Sequence, residues 1–195
     1  MTDLTAQSRP LSIPNMLTIG RVVAVPLLVC ALYFIEGNQG RWIAFGIFML
    51  AAASDFLDGY LARAWQQQSA FGKMLDPIAD KLLVGASILM LVYDQTLSGS
   101  AIWAALIILG REILVSGLRE FLAELQVKLH VTWLSKWKTS LQLVAIGLLI
   151  IAPAVGSFVP GVHEIGLTLL WMAAVLTLWT GYGYTVAAVS EAMRR

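Results

Sequence analysis

Residues 139–155 read TSLQLVAIGLLIIAPAV, and residues 165–190 read IGLTLLWMAAVLTLWTGYGYTVAAVS. From Thr139 to His163 and from Ile165 to Ser190 there is no Asp, Glu, Lys or Arg. A helix crosses hydrocarbon with about 20 apolar residues, because in lipid the backbone must satisfy its own hydrogen bonds. Both runs reach that length, and they are too long and too poorly alternating for the strands of an outer-membrane barrel. Gly156 and the Pro160-Gly161 pair break the first run into a helix and a turn. One span is therefore expected at about 138–155 and the last at about 164–188. Together they set the fold class as all-α and polytopic.

Working outward, four earlier segments repeat the pattern with charges at their ends. Met16 to Ile35 is apolar apart from Arg21, Trp42 opens a run that reaches Asp55, Leu82 to Tyr93 follows Asp80-Lys81, and Ile102 to Gly110 leads into Arg111-Glu112. Breakers lie at 36–40, 66–69 and 94–100, so six transmembrane helices are expected. The composition agrees. Hydrophobic residues make up 58% of the 195 and charged ones only 13%, against about a quarter charged in a soluble domain. A lone Cys30 excludes an intramolecular disulfide framework, and a net charge of +1 gives no sign of nucleic acid as a partner. The first fifteen residues carry Asp3, Arg9, Pro10 and Pro14, which reads as a short interfacial segment rather than a removable signal. The whole of 1–195 is expected to form a single membrane domain.

Orientation follows from the cations. Of 13 Lys and Arg, only Arg41 falls in the three turns near 36–41, 94–100 and 156–164. The positive-inside rule places the other side, with both termini, in the cytoplasm.

Four of the twelve acids lie between residues 55 and 80. On a helix, Asp55, Asp58, Gly59 and Ala62 share one face, with small residues beside the carboxylates that let a neighbouring helix or a phosphate approach. Beyond a turn, Pro77 suits a first helical position, Asp76 suits its N-cap, and Asp80 lies one turn later. Simpler readings exist: Asp76 as a cap only, and Asp55 and Asp58 paired with Arg63 and Lys73. Yet four like charges at the edge of hydrocarbon repel one another and resist desolvation. Hard carboxylate oxygens suit magnesium or manganese, and four can serve two ions that would act on a phosphate or pyrophosphate. His130 and His163 lie far from the acids in sequence, so zinc is not indicated.

A second constellation is basic. Arg111 and Arg119 are eight residues apart and return to nearly the same helix face. Lys136 and Thr139 share a face at the start of the next helix. Lys128, Lys138 and Arg194-Arg195 also fit as flanks touching anionic lipid headgroups. Arginine is the better bidentate partner for phosphate, so Arg111 and Arg119 point to an acceptor that is itself phosphorylated.

The eight residues Asp55, Asp58, Gly59, Ala62, Arg63, Gly72, Asp76 and Asp80, at their spacings, match the signature of the CDP-alcohol phosphotransferase family. This resemblance implies a six-helix membrane enzyme, a homodimer, with its active site at the cytoplasmic interface. Such an enzyme moves a phosphatidyl-type group from a CDP-linked lipid to an alcohol and releases CMP. It also implies roles: Asp55, Asp58, Asp76 and Asp80 hold two Mg²⁺ or Mn²⁺ ions, with Asp80 as the general base. Asn15, Thr18, Asp58, Gly59, Ala62, Arg63, Gly72 and Lys73 surround the CDP and its diphosphate.

The opening Ile13-Pro14-Asn15-Met16-Leu17-Thr18-Ile19-Gly20-Arg21, the Arg111-to-Arg119 stretch and Lys136-Trp137-Lys138-Thr139 with Gln142 resemble one branch of that family. Its donor is CDP-diacylglycerol and its acceptor sn-glycerol 3-phosphate, whose phosphate would meet Arg21, Arg111, Arg119, Lys136 and Thr139. Trp137 between the two lysines departs slightly from the pattern. Other acceptors, namely phosphatidylglycerol, serine or an inositol phosphate, stay open on the residues alone. A divalent-cation transporter is a remote alternative, because its acids would sit near mid-membrane on several helices.

Overall fold

The computed structural model describes residues 13–64, 70–124 and 133–193. Side chains at 13–14, 56–64, 70–71, 73, 124, 133–136, 187–188 and 191–192 lie outside that description. Six helices follow one another: α1 Ile13–Phe34, α2 Gly37–Ala64, α3 Ala70–Tyr93, α4 Ala101–Glu124, α5 Trp133–Val155 and α6 Val162–Ala192. No strand occurs among the described residues. The expected run 66–69 and the cations Lys128, Arg194 and Arg195 lie outside them.

The chain divides into Met1–Met90 and Leu91–Arg195. In the first unit α1 packs on α2 through a tight reversal at 35–36. Gly40 is required there, since a Cβ would stand 2.2 Å from the carbonyl oxygen of Ile35. Leu28 and Ala31 of α1, Ala44, Phe48 and Ala51 of α2, and Ala79, Leu83 and Ile88 of α3 are buried. The same interior stripe of α1 is polar at its start, where Asn15, Thr18 and Arg21 are buried on successive turns. That change of polarity along one helix fixes where the first unit keeps its charges.

In the second unit α5 and α6 form an antiparallel hairpin, and α4 packs on α6. Small residues bring the helices close, as membrane helices require without a hydrophobic drive between them. Ala104, Ala105 and Ile108 of α4, Ala145, Ile146 and Leu149 of α5, and Leu170, Ala173 and Ala174 of α6 are buried. A Cβ on Gly166 would lie 2.9 Å from the Leu149 side chain, so this glycine lets α5 and α6 approach closely. At the α5–α6 end, His163 Nε2 is 2.9 Å from the carbonyl oxygen of Thr96, tying the 94–100 turn to α6.

One expectation needs correction. Pro77 lies inside α3, seven residues after its start at Ala70, so Asp76 is not an N-cap. A proline removes one backbone bond there, a loss that membrane helices tolerate where neighbours re-satisfy the freed groups. The Asp76 carboxylate is engaged by a side chain of α1 instead of by the backbone at a helix start. Of the six helices, four contain stretches that are by themselves long and apolar enough to cross a membrane among the described residues: 15–34, 101–123, 137–155 and 162–186. In α2 and α3 the apolar runs are shortened by Arg41 and Asp55 in one, and by Asp76, Asp80 and Lys81 in the other. The outward faces, with Leu27, Leu50, Leu89, Leu106, Val175 and Trp179 more than half exposed, are those of a protein solvated by lipid.

Candidate active site

Three carboxylates of the first unit are held by α1. Thr18 Oγ1 donates to Asp76 Oδ1 at 2.6 Å. One turn on, Arg21 Nη1 donates to Asp80 Oδ1 at 2.7 Å and stands 3.0 Å from Asp55 Oδ1. The Arg21 side chain is fully buried, whereas those of Asp55 and Asp80 keep 39% and 47% of their surface exposed. The cluster is thus closed on its α1 side and open on the other, which leaves room for a ligand to reach the acids.

Asp80 stands just before the apolar run of α3, and its electrostatics show the crowding. Burial first, and then the charge of Asp55, push its carboxyl up to about 6, against the pull of Arg21; Asp76 adds to the push. A carboxyl raised in this way favours an added cation. As donors the acids are hard oxygens that fit Mg²⁺ or Mn²⁺. Even so, among the described residues no three His, Cys, Asp or Glu side chains close on one point, and the cation that meets Asp55 and Asp80 is Arg21. Gly72 is buried nearby in sequence. The side chains of Asp58, Gly59, Ala62, Arg63 and Lys73 lie outside the description.

The second unit holds a basic network. Glu112 Oε1 accepts from Lys138 Nζ and lies 3.4 Å from Arg111 Nη1. Arg111 Nη2 donates to Thr180 Oγ1 at 3.1 Å, and its stem crosses Gly181, where a Cβ would stand 3.2 Å from Arg111 Cγ. Arg119 Nη2 donates to the Tyr184 hydroxyl at 3.2 Å, with its guanidinium carbon 5.1 Å from that ring's centre. The pairings ascend together on α4 and α6, as two helices running in the same direction require. Three cations against one carboxylate leave two net positive charges, which suits a phosphate dianion.

Sequence reasoning placed Arg111 and Arg119 on one face, and both reach α6 from it. Lys138 is buried and paired with Glu112, not turned to lipid headgroups. Thr139 is exposed, and the side chain of Lys136 lies outside the description. Arg21, assigned to the acceptor's phosphate, is engaged with Asp55 and Asp80 instead. Glu112, Thr180, Gly181 and Tyr184 were missed as members of this network. A signal for the last three exists: in a largely apolar helix, Thr177, Thr180, Gly181 and Tyr184 recur at the spacing of one face. One turn beyond Lys138 on α5, Gln142 is buried, and among the described residues neither its Oε1 nor Thr177 Oγ1 has a hydrogen-bond partner.

Residues 11–179 match the CDP-alcohol phosphatidyltransferase family across the two constellations. The chain belongs to that family. Among bacterial relatives of this phosphatidyltransferase, one from Rickettsia bellii is 44% identical over 173 residues, covering 89% of this chain and 93% of that protein. A Haemophilus influenzae relative is 40% identical, covering 91% and 93%, and one from Shigella flexneri is 38% identical, covering 92% and 96%. All three are named CDP-diacylglycerol–glycerol-3-phosphate 3-phosphatidyltransferase.

Proposed function

We propose that this membrane protein transfers the phosphatidyl group of CDP-diacylglycerol to sn-glycerol 3-phosphate, giving phosphatidylglycerophosphate and CMP. The observation that carries the reading is similarity over about nine-tenths of the chain to relatives bearing that name. The acid cluster and the basic network supply the chemistry it needs.

Asp55, Asp58, Asp76 and Asp80 would hold divalent ions, which when bound neutralise charge on the diphosphate. Thr18 and Arg21 keep Asp76, Asp55 and Asp80 in place. Gly59, Ala62, Arg63, Gly72 and Lys73, with Asn15, are proposed to line the CDP moiety. Asp80 takes the proton of the glycerol C1 hydroxyl as its oxygen attacks the β-phosphorus. The bond from that phosphorus to the bridging oxygen breaks, and CMP leaves with the electron pair. Arg111 and Arg119, with Lys136 and Thr139, are proposed to hold the acceptor's phosphate. Their network carries the net positive charge for it, and Thr180 and Tyr184 fix the two guanidinium planes.

The finer topology belongs to the same reading: six spans, both termini and the acids on the cytoplasmic side of a bacterial inner membrane, and a homodimer. Purified protein in detergent with CDP-diacylglycerol and Mg²⁺ is to be scored for CMP release with glycerol 3-phosphate, phosphatidylglycerol, serine and an inositol phosphate in turn. Release with glycerol 3-phosphate alone is expected. Faster release with another acceptor overturns the assignment.

A further inference from the structure

Among the described residues Arg21 is the largest fully buried side chain, yet one nitrogen of its guanidinium serves two half-exposed carboxylates, at 2.7 Å and 3.0 Å. Arginine does not deprotonate in proteins, so its charge is permanent. A fixed cation with exposed acids in front of it occupies the electrostatic place of a bound metal ion. We infer that Arg21 is a built-in counter-cation for this carboxylate cluster, and that divalent ions bind by exchanging with its guanidinium.

The inference rests on the reading that these acids bind metal, and it extends that reading to how the metal-free state is held. Without a counter-charge, Asp55, Asp76 and Asp80 would repel one another. Arg21 relieves this from the closed side, on a stem rooted in α1. The acids remain open on their other side, so an ion can arrive without unpacking the helix pair. A divalent ion brings twice the charge in a smaller volume and attracts each carboxylate more strongly. It must also displace a like charge, so the guanidinium weakens metal affinity while it protects the metal-free fold. Arg21 is thus a positioning residue whose removal strengthens the binding it stands beside.

The test uses the full chain in detergent, Mn²⁺ as probe, and the electron paramagnetic resonance signal of free Mn²⁺ to count bound ions. Arg21→Met keeps the length of the side chain and removes the charge. Its Mn²⁺ dissociation constant is expected to fall about tenfold, the usual scale of coupling between two binding events. Its melting temperature in EDTA should fall by several degrees and recover with excess Mg²⁺. Arg21→Lys, which retains one charge, should lie between Arg21→Met and wild type on both readings, and it serves alone where Arg21→Met does not fold. An unchanged or weaker Mn²⁺ affinity in the variants overturns the exchange. So does a thermal deficit that Mg²⁺ leaves untouched, because a merely structural arginine gives that result. Failure of the wild type itself to bind Mn²⁺ removes the metal reading instead, so the two failures are distinct.

Discussion

Asp80 carries three demands at once: it receives Arg21, faces Asp55 and Asp76, and is assigned the acceptor's proton. A base works best with a pKa near the operating pH, and burial, followed by the charge of Asp55, moves Asp80 from 3.8 to about 6. Asp80→Asn is expected to abolish CMP release, while CDP-diacylglycerol binding, read by equilibrium dialysis, falls less. Wild-type turnover in that variant would remove Asp80 from the mechanism. The same shift makes stability depend on pH. A carboxyl whose pKa is raised on folding binds its proton more tightly in the folded state, so its contribution is complete below about 3.8 and is lost as pH rises through about 6. In EDTA, the melting temperature should therefore decline between pH 4 and pH 6.5 and then level off. Asp80→Asn should flatten that decline, and saturating Mg²⁺ should remove it above pH 6.

Between elements, the register of α4 on α6 decides what the basic residues can do. Gly181 lets the Arg111 stem lie across α6, so Gly181→Val should drive Arg111 off Thr180 and raise KM for glycerol 3-phosphate. Arg119→Ala should raise the same KM while sparing CDP-diacylglycerol, and an unchanged acceptor KM in both variants would refute the phosphate pocket. Gln142 offers a contrasting test. A buried, unmatched carbonyl oxygen costs about 1–3 kcal/mol, so Gln142→Leu should raise the melting temperature. If the oxygen is kept for the acceptor, the same variant loses glycerol 3-phosphate use; a stabler protein with unchanged kcat/KM would show a site of no consequence to the reaction.

These contacts also mark where sequence stopped being legible. Uncharged runs announced α5 and α6, and the spacings of the eight signature residues announced the acids, because both are read along the chain. Lys138 with Glu112, and Arg21 with Asp55 and Asp80, depend on how helices are rotated against each other. No spacing within one helix contains that. Pro77 misled for a related reason: its preference for a helix start is local, while α3 is set by the apolar run beyond it and by Thr18 reaching Asp76.

For the molecule as a whole, the charge pattern turns on whether α2 and α3 cross the bilayer. Their apolar runs, 42–54 and 82–93, amount to about 20 Å each at 1.5 Å per residue, short of a hydrocarbon core of about 30 Å. The four-stretch reading crosses only with α1, α4, α5 and α6, and it would leave the acids of 55–80 on the outer side, away from cytoplasmic glycerol 3-phosphate. With six crossings the same acids lie inside, on the side of the membrane that carries most of the Lys and Arg. The two arrangements agree on the 94–100 turn, outside in both, and disagree on Met74, which is exposed on α3. A single cysteine at Met74 or at Ser98, in a Cys30→Ser background, separates them with a membrane-impermeant maleimide on intact cells. Ser98→Cys should label, and Met74→Cys should label only after the membrane is opened. Labelling of Met74→Cys in intact cells would place the carboxylates outside and end the six-span reading.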